Sequence, residues 1–212
     1  MTEMLTNAPP TNKAYLEQLH SESVISDARF NREEFSLNLV DKGLVSTEFY
    51  ESGAMDAFDL DEKTGRDALT HLLVGDARGG GHHLPSMMQL EADGIAVASK
   101  IKDPDNPSRG VAFFRRDQQV RNNGTYEALH VEVSDPRTGR TLKKLGGSSM
   151  FPNEWSTQDV LQAVVDVSKS PGQYDERRGS MQHQKKVHGV VIRAVTDKKT
   201  GKVITAHPVV GK

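Results

Sequence analysis

The sequence predicts an α+β protein whose C-terminal part is rich in antiparallel strands, and three observations carry that reading. Tyr126-Glu127-Ala128-Leu129-His130-Val131-Glu132-Val133 alternates in the manner of a half-buried strand. Gly189-Val190-Val191-Ile192-Arg193-Ala194-Val195, then Asp197-Lys198-Lys199-Thr200-Gly201, then Lys202-Val203-Ile204-Thr205-Ala206 is a strand, a turn and a strand, hence a hairpin. Between these, Ser156 is placed to cap a helix that runs through Val160, Leu161, Val164 and Val165.

From the N-terminus, residues 1–12 with Asn7-Ala8-Pro9-Pro10-Thr11 read as a flexible lead-in, and Tyr15, Leu16 and Leu19 sit at helical spacing. Between Asn31 and Ala57, Phe35, Leu37, Leu39, Val40, Leu44 and Phe49 are distributed as small helices around Gly43, and Asp59 to Arg66 reads as an acidic connector. Leu69 to Val74 is an apolar run stopped by a glycine-rich loop. Val111-Ala112-Phe113-Phe114 is a further strand, and Asp135-Pro136-Arg137-Thr138-Gly139-Arg140 a hairpin turn.

The net charge of −2 hides an asymmetry about Arg66. Residues 1–66 hold six Lys/Arg against thirteen Asp/Glu, a balance of −7, whereas residues 67–212 balance at +5. The chain therefore divides, on charge, into an acidic, mostly helical N-terminal module or linker (1–66) and a basic domain (67–212). A positive balance suits a polyanion, because phosphate neutralisation supplies most non-specific affinity for nucleic acid; a solvated surface is the plainer account of the same charges.

Composition excludes several classes. There is no apolar run near the roughly 20 residues that span a bilayer, and MTEMLTNAPP lacks the order of a signal peptide, so the expectation is a soluble chain. With no cysteine there is no disulfide, no cysteine-ligated zinc and no thiolate nucleophile. Catalysis would fall to His, Lys, Ser/Thr, Tyr or carboxylates. No P-loop, G-x-S-x-G or G-x-G-x-x-G occurs in its required setting.

Three histidines, His71, His82 and His83, flank the loop Gly75-Asp76-Ala77-Arg78-Gly79-Gly80-Gly81, which is glycine-rich enough to fold back and bring two imidazoles together. RNA cleavage by the substrate's own 2′-hydroxyl needs a base, an acid and a cation near the phosphate, a requirement that two histidines and a lysine meet. Lys143 and Lys144, before Gly146-Gly147-Ser148-Ser149, are the candidate cations; solvated residues at a hairpin end are the plainer reading. The same imidazoles with Asp76 also suit a metal-dependent hydrolase, though no H-E-x-x-H is present.

Five motifs in order then carry a resemblance: His71-Leu72-Leu73-Val74-Gly75-Asp76; Gly79-Gly80-Gly81-His82-His83; Ser148-Ser149-Met150-Phe151-Pro152-x-x-Trp155-Ser156; Gly189-Val190-Val191-Ile192; and Gly201-Lys202-Val203-Ile204-Thr205-Ala206-His207-Pro208. Residues 67–210 resemble the bacterial EndoU nuclease family. The resemblance implies an EndoU-like, RNase A-like fold of antiparallel sheets with flanking helices. It implies an endoribonuclease, uridine-directed, that leaves a 2′,3′-cyclic phosphate, with no cofactor required and Mn²⁺ stimulation allowed. Among bacteria such domains commonly form the toxin tip of contact-dependent inhibition and other polymorphic toxin systems. That context implies a delivered effector acting in a target-cell cytoplasm on tRNA or another structured RNA, with a cognate immunity protein.

The resemblance places the catalytic pair on His71 and on His82 or His83, with His82 favoured as base on the 2′-hydroxyl, His71 as acid, and the two roles interchangeable. The lysine falls on Lys144 or Lys143. Thr205 matches the family's base-reading residue, Ser149 belongs to the Ser-x-x-Phe-Pro motif, and His207 stands where the family has tyrosine. Arg115, Arg116 and Arg121 form a candidate row for the RNA backbone, against an exposed basic strand edge. A non-catalytic RNA- or protein-binding domain of the same fold and a His-based metal hydrolase are the competing functions.

Overall fold

A computed structural model describes residues 13–75, 80–92, 99–101, 114–115, 120–129, 131–134, 141–144 and 148–210. The expected α+β class holds: helices lead the chain, and antiparallel sheets follow.

Helix α1 (Lys13–Ser21) buries Leu16 and leaves Tyr15 exposed. Helix α2 (Asp27–Asp41) begins earlier than the apolar pattern shows, because the Ser26 hydroxyl accepts from the Arg29 N–H and so caps it. Gly43, at φ +65°, ends it, with the Leu44 N–H returning to the Leu39 carbonyl. Helix α3 (Thr47–Glu51), capped by Ser46, and a 3₁₀ turn at Ala54–Ala57 complete this part.

The acidic connector is a small hairpin, β1 (Leu60–Asp61) against β2 (Arg66–Asp67). Its turn is held by Asp61, whose carboxylate accepts from the Lys63 and Thr64 amides and the Thr64 hydroxyl. Asp67 then caps helix α4 (Ala68–Leu73), accepting from the Leu69 N–H at 2.9 Å and the Thr70 hydroxyl at 2.7 Å. The buried Arg32 of α2 grips the same carboxylate, with Nε 2.7 Å from Oδ1, and donates to the carbonyls of Met55, Phe58 and Asp59. Helix α5 (Leu84–Ala92) follows the histidine loop.

Two three-stranded sheets come next. One has the order β3 (Ser99–Ile101), β6 (Val131–Ser134), β7 (Thr141–Lys144), and the other β4 (Phe114–Arg115), β5 (Tyr126–Leu129), β8 (Ser148–Met150). The alternating run at 126–133 is thus two strands in different sheets. Residues 111–113 and 135–140 lie outside the described residues; β6 and β7, on either side of 135–140, pair antiparallel.

Helix α6 (Thr157–Ser168) opens on a full capping box: Ser156 Oγ accepts from the Asp159 N–H, and the Asp159 carboxylate accepts from the Ser156 N–H. The Ser156 hydroxyl, donating to the same carboxylate at 2.7 Å, and after it the Ser156 N–H hold the Asp159 carboxyl below the usual carboxylate range. The last sheet is an antiparallel meander, β9 (Gly172–Asp175), β10 (Ser180–Val187), β11 (Val190–Asp197) and β12 (Val203–Pro208). Strand β10 reads Ser-Met-Gln-His-Gln-Lys-Lys-Val, too polar for alternation to reveal it.

Val160, Leu161 and Val164 of α6 bury the face of this sheet that carries Val190, Ile192, Ala194, Val203 and Ala206. The same core includes Phe35, Leu39, Phe49 and Phe58 from the N-terminal part and Leu69, Leu72 and Leu73 from α4. Phe58 bridges Val203, and the Asp59 N–H donates to the Val203 carbonyl. Residues on both sides of Arg66 therefore contribute to one core.

Candidate active site

The site begins where α4 ends. Gly75, at φ +90°, stops the helix, with its N–H on the Thr70 carbonyl. The loop then returns to satisfy the next two helix carbonyls: the Gly81 N–H donates to His71 O at 2.8 Å and the His82 N–H to Leu72 O at 2.9 Å. Only glycine fits at 80. Its φ is +78°, and a Cβ there would overlap the His71 carbonyl and stand 2.9 Å from His71 Nδ1. Glycine at 80 is what lets the backbone pass against His71, just before the Gly81 and His82 amides close on the helix carbonyls.

His82 is fixed from the other side by β8. Its carbonyl accepts from the Phe151 N–H at 2.8 Å, and its Nδ1–H donates to the Ser149 carbonyl at 2.8 Å. A carbonyl only accepts, so Nδ1 carries a proton, and in the neutral ring the lone pair is on Nε2. The Ser149 hydroxyl stands 3.4 Å from Nδ1 of His207, which also faces the Pro208 carbonyl at 3.1 Å. The His82 and His207 rings are 5.9 Å apart between centroids. His71 and His82 are each only 7% exposed, and His207 is half-buried.

A β-bulge aims β12 at this cluster. Thr196 pairs with Val203 and Val195 with Thr205, so Ile204 is the extra residue. Val203 consequently faces the core with Ala206 and Pro208, while Thr205 and His207 point to the other face. Strict alternation would have put Val203 on their side.

His83 stands apart. It is fully buried, and Nε2–H donates to the Trp155 carbonyl at 3.0 Å while Nδ1 accepts from the Ser86 hydroxyl at 2.6 Å. Ser86 Oγ in turn lies 2.8 Å from Thr157 Oγ1. Burial pushes the imidazole down to about 4, against a smaller upward pull from the Trp155 carbonyl. This neutral ring ties the start of α5 to the start of α6.

The remaining expected residues are spread more widely. Lys143 and Lys144 lie on β7, paired with Glu132 and Val131 of the other three-stranded sheet, and Arg115 lies on β4 opposite Ala128; for these the backbone alone is described. Arg116 and Asp76 lie outside the described residues. Arg121 sits in the turn before β5, its N–H on the Thr125 carbonyl. Among the described residues no group of three His, Asp or Glu side chains is close enough to hold a metal ion, and no helix is long and apolar enough to cross a membrane. Sequence reading missed that Ser149 acts through its carbonyl. No local signal shows this, since the partner is 67 residues away.

A family model described as bacterial EndoU nuclease matches residues 65–210. No curated protein and no solved structure matches the chain.

Proposed function

The chain belongs to the bacterial EndoU nuclease family, and on that premise we propose that it is an endoribonuclease that uses His82 and His71 to turn the RNA's own 2′-hydroxyl into the nucleophile. In this reaction the 2′-oxygen forms a bond to phosphorus as the bond from phosphorus to the 5′-oxygen breaks. Nε2 of His82 takes the 2′-hydroxyl proton, and His71 gives a proton to the departing 5′-oxygen. The products are a 2′,3′-cyclic phosphate and a 5′-hydroxyl.

The observation that carries the reading is the hydrogen bond from His82 Nδ1–H to the Ser149 carbonyl. It selects the tautomer whose Nε2 can accept a proton, and it holds that ring beside His207. His83, with both nitrogens engaged in the interior, is assigned a structural role. Thr205 and His207, projecting from one face of β12, are assigned to the nucleotide, with the His207 imidazole replacing a tyrosine in stacking on the base or placing the sugar. Lys144 or Lys143 remains the proposed cation at the phosphate, and Arg115 and Arg116 proposed contacts to the backbone.

Cleavage is proposed to need no metal, and full activity after exhaustive EDTA treatment is the expected result. Replacing the uridine at a mapped cut site with 2′-deoxyuridine should abolish cutting there, because the nucleophile is gone; cutting that persists refutes the mechanism. The wider setting, a delivered toxin acting on tRNA or another structured RNA and neutralised by an immunity protein, rests on the family resemblance. Sequencing RNA ends from cells expressing the chain tests it.

A further inference from the structure

The sheet face that carries Thr205 and His207 continues beyond them. His207 pairs with Arg193 of β11, and Arg193 pairs with Gln184 of β10. Neighbouring strands lie about 4.8 Å apart, so Arg193 begins one strand spacing from His207 and Gln184 two. Lys186, two residues along β10, shares this face, which is opposite the one α6 buries. Gln184 and Lys186 are exposed and Arg193 is half-buried.

Charge and hydrogen bonding mark the row as more than a solvated edge. Among the described residues Arg193 makes no ion pair; its Nη2 approaches Gln184 Oε1 at 3.5 Å, a long contact that a better acceptor would displace. The guanidinium fork matches a phosphate bidentately, and the row holds no carboxylate to repel one. The amide of Gln184 offers both a donor and acceptors for a sugar or base edge.

We propose that the row His207, Arg193, Gln184, flanked by Lys186, is an RNA track leading out of the site across β11 and β10. Arg193 takes a phosphate of a nucleotide flanking the cleaved bond, and Gln184 and Lys186 hold the strand one step further. The track rests on the nuclease reading above, and it adds binding to substrates longer than the two nucleotides that meet the histidines.

The test compares a uridine-adenosine dinucleotide with a twelve-nucleotide RNA holding one uridine, cut by the full chain and by Arg193→Gln, Arg193→Lys and Lys186→Gln. Arg193→Gln is expected to raise KM on the long RNA about tenfold, to change kcat/KM on the dinucleotide less than about twofold, and to keep the parent thermal midpoint. Arg193→Lys should recover part of the loss. The slope of log affinity on log salt should fall by about 0.7 for the lost phosphate contact.

Binding of the long RNA with 2′-deoxyuridine at the cut site, followed by fluorescence anisotropy, supplies an arm free of chemistry. There Arg193→Gln should weaken affinity about tenfold. Equal losses on both substrates, or unchanged binding, overturns the track and leaves the nuclease reading standing. A parent chain that cuts neither RNA refutes the nuclease reading, and the anisotropy arm then decides the track by itself.

Discussion

His82 and His83 are neighbours in the chain, yet their rings end in opposite kinds of surroundings. The first donates to a backbone carbonyl of β8 and lies beside the His207 ring, with the His71 helix end bonded to its own amide. The second is sealed in the interior between Ser86 and the Trp155 carbonyl, with burial pressing it toward the neutral form. One residue type at consecutive positions thus builds a proposed proton-transfer group and a structural pin. The difference teaches that an imidazole's role is set by the partners its nitrogens meet, which neighbouring positions in a chain need not share.

The sharpest way to break this contrast is a pair of alanine variants. His82→Ala and His71→Ala should each lower RNA cleavage by about 10³-fold, in the range of general acid–base contributions, while circular dichroism at the assay temperature still shows a fully folded chain. His83→Ala should instead lower stability by about 3 kcal/mol in urea titration, because it removes a filled interior position and strands the Ser86 hydroxyl and Trp155 carbonyl. A His83→Ala chain that is stable and inactive would reverse the two assignments.

Arg32 supplies a control that touches neither ring. Removing it leaves Asp67 charged and half-shielded at the cap of the helix that ends in His71. Arg32→Met is expected to cost about 4 kcal/mol by the same titration, the usual penalty for breaking a buried ion pair from one side.

Acid should act through His83. A ring held at about 4 in the folded chain, against an unfolded value of about 6.5, takes up its proton more readily when unfolded, so its contribution is fully present above 6.5 and is lost as pH falls from there to 4. The loss should approach about 3 kcal/mol across that window, read as the fall in urea midpoint with pH. His83→Gln should flatten this part of the profile.

The smallest change sharpens the site itself. Gly80→Ala adds one methyl group against His71 in a left-handed backbone. We expect about a 10²-fold loss of cleavage, the scale of a misplacement near 1 Å, with a modest effect on midpoint.

Much of this is legible in the sequence. The hairpin from Gly189 to Ala206, the Ser156 cap and the helices on either side of Gly43 all follow from signals within a few residues, and each stands where it was expected. The start of α2, the hairpin in the acidic connector and β10 carry no such local signal. The first two depend on side-chain caps, by Ser26 and Asp61, outside any apolar pattern, and the third is a strand whose exposed face is polar throughout.

Motif order alone determined the family, and with it His71 and a histidine of the 82–83 pair as candidates. Which of the pair meets β8 and which is sealed inside was decided only by tertiary structure. Their partners, Ser149 and Trp155, lie 67 and 72 residues away, and no local periodicity reports a hydrogen bond over that distance. The same holds for the bulge at Ile204 that turns Thr205 and His207 from core to site. A one-residue shift of register is visible only against the strand it pairs with.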